Sequence, residues 1–324
     1  MSSFANKSEI EVLFAHVAYQ FPDLFTARKS GMKFAVAQSP AEMEAKIGTA
    51  DVVVVSGLWK NDLVTKAPKL KFIQSISAGT DQYSREILKA KGIRLASAHG
   101  VNANAVAEHA ISLILSLSRQ LHLLRDAQAE KRWRPMQGDL AVREDEIEGK
   151  TLLIVGLGRI GDRLAQFGKA FGMRVIATRR NPSGGKGAAD AIHANTELTT
   201  LIPQADFIAL TCPLTPETEK LVGAAQIAAM KPTAYLVNVA RGKVVDEPVL
   251  VAALQNRKIA GAGIDVTIEE PLPASCPLWS MPHVIVTPHS AGETKRYEDR
   301  VIDLLIENVD RLGRGETTLV NGIV

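Results

Sequence analysis

An arginine, a glutamate and a histidine each stand just past a short apolar run in the second half of this sequence. Arg241 follows residues 234–239, Glu270 follows 259–265, and His289 follows 284–287. If those runs are parallel strands of one sheet, all three side chains lie at its carboxyl edge, where open α/β sheets bind ligands. The planar fork of Arg241 matches a carboxylate. A histidine oriented by a carboxylate gives and takes a proton. Alone, Arg241 reads as a surface ion pair and His289 as a structural histidine. Together with Glu270 they describe acid–base chemistry on an anionic substrate.

A second constellation lies upstream. Leu152-Leu153-Ile154-Val155 runs into Gly156-Leu157-Gly158-Arg159-Ile160-Gly161, and a helical pattern follows over about 159–171. A lone G-x-G-x-x-G carries little weight. Between a buried strand and a helix it reads as a dinucleotide-binding turn. Gly156 allows the tight turn, Gly158 lets the backbone approach a pyrophosphate, and Gly161 lets the helix pack on the strand. The positive end of that helix then faces the phosphates.

The elements that must position these residues follow from patterning. Residues 11–17, 51–56, 71–76 and 93–96 read as strands, with helices at 40–47 and near 83–91. This alternation predicts a parallel α/β unit over roughly the first hundred residues. Within it, Ser77-Ala78-Gly79-Thr80-Asp81 follows a strand and would present N–H groups to an anion. A long amphipathic helix is expected over about 104–128, with Leu113, Leu117, Leu121 and Leu124 on one face, and with Asn102 or Asn104 either as its cap or in a functional role. Residues 129–150, with Trp133, Pro135 and Gly138, read as a connecting loop. Strands resume at 174–177, 206–210, 234–239, 259–265 and 284–287, a larger doubly wound unit, and 293–312 reads as a closing helix.

The 324 residues suit two domains, and 46% hydrophobic content suits full cores. Against 38 basic residues stand 35 acidic ones, for a net charge of +3. That balance argues against nucleic acid or a membrane surface as partner. The two cysteines, Cys212 and Cys276, make no disulfide framework and no zinc pattern, which suits a reducing compartment. Residues 1–11 are polar and lack the apolar core of a signal peptide. The most apolar segment, near 110–117, is too short to span a membrane. A soluble cytoplasmic protein is expected.

Further motifs accompany these. In chain order they are Val106-Ala107-Glu108-His109, the glycine turn, and Ala205-Asp206-Phe207-Ile208-Ala209-Leu210-Thr211-Cys212-Pro213-Leu214-Thr215. Then come Lys231-Pro232, Asn238-Val239-Ala240-Arg241-Gly242 with Asp246, and Gly261-Ala262-Gly263-Ile264-Asp265-Val266. Glu270-Pro271-Leu272-Pro273, Pro277-Leu278-Trp279 and Thr287-Pro288-His289 close the set. On these motifs the chain resembles the D-isomer-specific 2-hydroxyacid dehydrogenases, in particular their glyoxylate/hydroxypyruvate reductases, over nearly its whole length.

The resemblance implies an α/β protein of two doubly wound parallel-sheet domains. A Rossmann cofactor domain would span 104–293, and a smaller flavodoxin-like substrate domain would span 1–103, completed by 294–324. Arg241 would bind the substrate carboxylate and polarise the 2-oxo group. His289 would protonate the carbonyl oxygen as hydride arrives from nicotinamide, and Glu270 would hold His289. Ala78 and Gly79 would cradle the carboxylate, in a cleft between domains whose closure excludes water. The cofactor would lie along Gly156, Gly158, Arg159, Ile160 and Gly161, then Thr178, Arg179 and Arg180, then Thr211, Cys212 and Pro213. It would also meet Val239, Ala240, His289 and Gly292, with Asp265 at the nicotinamide carboxamide.

One departure bears on the cofactor. An NAD-specific site places an acidic residue about 20 residues past the glycine motif. This chain has Thr178-Arg179-Arg180 there, donors suited to a 2′-phosphate, so NADP is expected in preference to NAD. The expected activity is reduction of a small 2-oxo acid, such as glyoxylate or hydroxypyruvate, to its D-2-hydroxy acid. The resemblance also implies a homodimer around the larger domain, with Ile111, Leu115 and Ser118 of the long helix on a compatible side. Two other readings compete. Formate dehydrogenase is disfavoured, because that branch places glutamine where Glu270 stands. A non-catalytic nucleotide sensor or co-regulator on the same fold is opposed by the intact Arg241, Glu270 and His289. Leu58, Trp59, Trp133 and Trp279 are candidates either for lining the pocket or for core packing.

Overall fold

Val52, Val53, Val54 and Val55 are all fully buried. Successive side chains of a strand point to opposite faces, so this strand must be covered on both sides. The computed structural model describes Phe4 and residues 6–324. Met1, Ser2, Ser3 and Ala5, part of the polar N-terminal stretch, lie outside the described residues. The chain divides into two units: residues up to Asn102 with Thr294–Val324, and Ala103–Glu293.

The smaller unit holds β1 (Glu11–Ala15), β2 (Lys33–Ala37), β3 (Val52–Val55), β4 (Phe72–Ser75) and β5 (Arg94–Ala96). They form one parallel sheet in the order β2-β1-β3-β4-β5, the flavodoxin order. Val12, Phe14, Val52, Val54 and Phe72 meet Phe21, Phe25 and the helix Tyr297–Gly313 on one face. Leu13, Ala15, Val53, Val55 and Ile73 meet Met43, Trp59 and Leu88 on the other. Trp59 is 4% exposed, so of its two expected roles the structure gives it core packing. β2 has no counterpart among the expected strands. It is an edge strand, and only Ala37 in it is buried, so the apolar signal is weak.

The larger unit holds β6 (Thr151–Val155), β7 (Arg174–Arg179), β8 (Ala191–Ala194), β9 (Phe207–Leu210), β10 (Tyr235–Asn238), β11 (Gly261–Ile264) and β12 (Val284–Val286). Their order is β12-β11-β10-β9-β6-β7-β8, all parallel, a Rossmann sheet with one further strand. The edge strand β8, half-buried throughout, was again not anticipated.

The long helix differs from expectation. It spans Ala103–Ser118, Gln120 then turns left-handed at φ 52, and a second helix runs Leu121–Ala129. The turn breaks the helical register, so Leu113 and Leu117 are buried while Leu121 and Leu124 are 50% and 37% exposed. Asn104 lies inside the first helix, where its Oδ1 accepts from Arg163 Nε at 2.7 Å. That bond ties it to the helix Arg159–Ala170. Gly263 in β11 lets Leu113 come close, since a Cβ there would lie 3.1 Å from Leu113 Cβ. Ile111 and Ser118 are buried within this unit, so they are not on a free side of the helix. Among the described residues no helix is long and apolar enough to cross a membrane.

Asn308, fully buried, pins the C-terminal segment to β4. Its Nδ2 donates to Gln74 Oε1 at 3.1 Å, and its Oδ1 accepts the Val320 N–H at 2.8 Å. Asn308→Ala leaves Gln74 Oε1 buried and unpaired, at a cost of about 1–3 kcal/mol. Calorimetry of that variant is expected to give a lower Tm than the parent.

Candidate active site

At the end of β6 the backbone turns through Gly156 at φ 104, a region closed to most side chains. A Cβ there would lie 2.6 Å from the backbone N and Cα of Cys212, and one on Gly161 would lie 2.5 Å from Gly156 O. The first and third glycines are therefore demanded by the chain's own packing. A Cβ on Gly158 would meet nothing within 4 Å. The space over the middle glycine is open, as a ligand approaching the backbone requires. Gly158 also starts the helix Arg159–Ala170 without a capping side chain, the arrangement that receives a phosphate. Arg159 is exposed and Ile160 half-buried. These residues fit a dinucleotide pyrophosphate.

Neighbouring strand ends support the turn. Thr211 Oγ1 donates to Gly156 O at 2.7 Å. Cys212 lies beneath, and burial pushes its thiol up to about 11, while Pro213 is exposed. β7 runs two residues past the expected strand, so Thr178 is a fully buried strand residue. Its carbonyl accepts the N–H groups of Gly156 and Leu157 at 3.0 and 2.8 Å, and its hydroxyl has no hydrogen-bond partner. Arg179 and Arg180 emerge at the carboxyl edge. Arg179 Nη1 donates to the carbonyls of Gly184 and Gly185 at 3.2 and 3.1 Å, and Arg180 is exposed.

The ends of β10, β11 and β12 carry the acid–base groups. Beyond β10, Asn238 braces the turn: its Oδ1 accepts the Ala240 N–H at 3.0 Å and its Nδ2 donates to Arg241 O at 3.1 Å. Val239 and Ala240 are buried and Arg241 is exposed. A Cβ on Gly242 would lie 2.1 Å from the Thr267 carbonyl, so this turn packs directly on the one after β11. There Glu270 Oε1 accepts the Thr267 N–H at 3.1 Å. Its Oε2 meets His289 Nδ1 at 2.7 Å. His289 sits at φ 53, rare for a residue with a side chain, and its N–H donates to Asp265 O at 2.8 Å. The Asp265 carboxylate accepts from Thr287 Oγ1, Ser290 N and Ala291 N at 2.6, 3.0 and 3.2 Å. Gly292 follows this turn, half-buried. Glu270 and His289 are thus brought into contact, with Arg241 on the adjoining turn.

His109 belongs to this network, although only a motif marked it in the sequence. Its Nε2 lies 3.0 Å from Thr287 Oγ1, 178 residues away. The Thr287 proton goes to Asp265, so His109 is the donor. Ala78 and Gly79 lie in the smaller unit, just past β4. Trp133 and Trp279 are 96% and 53% exposed, and Leu58 packs partly against the core of the smaller unit.

The family model for the D-isomer specific 2-hydroxyacid dehydrogenase NAD binding domain matches residues 111–291. Glyoxylate/hydroxypyruvate reductase B of Klebsiella pneumoniae subsp. pneumoniae is 37% identical over 289 residues, 85% of each chain. A D-isomer specific 2-hydroxyacid dehydrogenase family protein of Aeromonas salmonicida is 30% identical, with a TM-score of 0.84 over 98% of this chain and 99% of that one. The NADPH-dependent glyoxylate/hydroxypyruvate reductase of Sinorhizobium meliloti, solved with NADP and malonate, is 26% identical. Its TM-score is 0.78, covering 98% of this chain and 97% of that one. The chain belongs to the D-isomer-specific 2-hydroxyacid dehydrogenase family. It is an oxidoreductase that moves a hydride between a nicotinamide cofactor and a 2-oxo or 2-hydroxy acid.

The two thiols differ in their surroundings. Cys212 is buried under the glycine turn with its thiol raised to about 11, and Cys276 is partly exposed. At pH 8 iodoacetamide is expected to label Cys276 and spare Cys212 in the folded protein, as read by peptide mass spectrometry.

Proposed function

We propose that this chain reduces small 2-oxo acids of the glyoxylate and hydroxypyruvate kind to D-2-hydroxy acids, with NADPH preferred over NADH. The carrying observation is His289 Nδ1 held on Glu270 Oε2 at 2.7 Å, beside the turn that bears Arg241. When bound, the nicotinamide cofactor supplies the hydride. Arg241 grips the substrate carboxylate in two-pronged fashion. His289 gives its Nε2 proton to the oxygen that becomes the hydroxyl. Glu270, itself steadied by the Thr267 N–H, occupies the Nδ1 side so that Nε2 serves the substrate. Asp265 organises the turn that carries His289. The name of the Klebsiella relative supports the substrate class. A screen of 2-oxo acids with both cofactors tests the reading. NADPH binding without turnover of any acid would replace it with a nucleotide sensor.

His289→Ala is expected to lower kcat by about 10²–10⁴-fold with the NADPH Kd unchanged. Both Glu270 oxygens accept hydrogen bonds, one from Thr267 and one from His289. Glutamine has one acceptor oxygen, so Glu270→Gln is expected to lower kcat as well, by less than His289→Ala. Steady-state rates and fluorescence titration with NADPH check both.

The NADPH preference rests on Arg179 and Arg180 at the end of β7, where an NAD site would carry an acid. The Sinorhizobium enzyme, solved with NADP, supports it. The parent is expected to have the higher kcat/KM with NADPH. Arg179→Asp is expected to raise the KM for NADPH more than that for NADH, as steady-state titration of each cofactor would reveal.

The active form we propose is a cytoplasmic homodimer, in keeping with two free thiols. Trp133, Met136 and Leu140 are 96%, 97% and 75% exposed on one connecting segment, an apolar surface that a second copy would cover. Sedimentation is expected to give a species of about twice the 34.9 kDa chain, and Trp133→Glu with Met136→Glu to shift it toward monomer.

A further inference from the structure

The larger unit holds a cavity of about 190 Å³ that none of the chemistry above uses. It opens at the amino ends of the strands, where Tyr235 begins β10, Ala260 precedes β11 and His283 precedes β12. Asn238, Asp265 and Thr287 lie at the opposite ends of the same strands. At ~3.3 Å per residue, strands of this length put about 10–13 Å between the two edges.

The lining is apolar on one side and cationic on the other. Leu117, Leu123 and Pro282 supply apolar surface. Arg257, His122 and His283 supply nitrogen, and no acidic side chain lines the cavity among the described residues. No ion pair or side-chain hydrogen bond holds the Arg257 guanidinium among the described residues. His122 places Nε2 at 3.0 Å from Pro282 O and Nδ1 at 3.3 Å from Ser116 O. His283 Nε2 is bonded to Leu254 O at 3.1 Å, while its Nδ1 is buried with no partner. Burial first, with Arg257 and His122 adding to it, holds His283 below the ordinary histidine range. Arg257 and His122 thus stand close enough to His283 to act on its charge.

Arg257 is exposed, and with no ion-pair partner its guanidinium is available to an anion at the rim of a half-apolar hollow. The hollow is smaller than the roughly 300–1,000 Å³ of sites that take drug-sized ligands. We propose that it binds a small organic carboxylate with an apolar body, the carboxylate on Arg257 and the body on Leu117, Leu123 and Pro282, beside His122 and His283. This site is separate from the one that holds Arg241.

The test uses the full-length protein, benzoate as probe, inorganic phosphate as control, and imidazole NMR signals assigned with His122→Gln and His283→Gln. Benzoate is expected to shift the His122 and His283 signals saturably and to bind more tightly than phosphate. Arg257→Asn, which keeps a residue tolerant of φ 52, removes the guanidinium. Leu123→Trp fills the hollow without changing charge. Each is expected to weaken benzoate about tenfold or more, while Arg241→Lys leaves its affinity unchanged. An unaltered His289 signal verifies the fold of each variant. The proposal is overturned if no saturable shift occurs or if phosphate binds as tightly. It is equally overturned if affinity survives both cavity variants, or falls with Arg241→Lys.

Discussion

The Asp265 side chain is 1% exposed, and a carboxylate so far from water must find donors. It finds the Thr287 hydroxyl and the N–H groups of Ser290 and Ala291, all from one short turn after β12. To deliver them the turn curls over the end of β11. His289, caught between Thr287 and Ser290, is carried to φ 53. Such a backbone costs about 1–3 kcal/mol and persists only where its surroundings impose it. Here the Asp265 carbonyl holds the His289 N–H from one side, and Glu270 holds the ring from the other. Satisfying one buried acid therefore places the histidine, and the histidine meets a second acid.

Close backbone approach does the same work at the other strand ends. Gly242 lies against the Thr267 carbonyl at a distance that no side chain permits. Thr267 is also the residue whose N–H steadies Glu270, so the turns bearing Arg241 and Glu270 are locked to each other. Gly156 meets Cys212 in the same manner and joins the ends of β6 and β9 under the dinucleotide turn. Both sheets are parallel and covered on both faces, as their fully buried central strands require. Irregular backbone is then free to present polar groups only beyond the strand ends, and there the chemistry collects.

Much of this was legible in the sequence because it is local. Runs such as Val52 to Val55 and Leu152 to Val155 declare buried strands through their own apolar continuity. Arg241, Glu270 and His289 could be referred to one sheet edge because each stands within a few residues of such a run. The glycine motif was readable for the same reason, and the structure adds that Gly156 and Gly161 answer to internal packing while Gly158 faces open space.

What the sequence by itself determined, then, was the central strands of two parallel sheets and the edge on which the polar groups gather, since each follows from patterning over a few residues. Tertiary structure decided whatever depends on a distant partner. β2 and β8 are half-covered edges, strands only because a neighbour offers its backbone. Gln120 breaks the long helix without glycine or proline, so nothing local announced it. Trp59 went to the core, and His109 joined Thr287 and Asp265 across 178 residues. Arg257, His122 and His283 came to surround one hollow. Local patterning selects which face of an element is buried, but only packing selects what it is buried against.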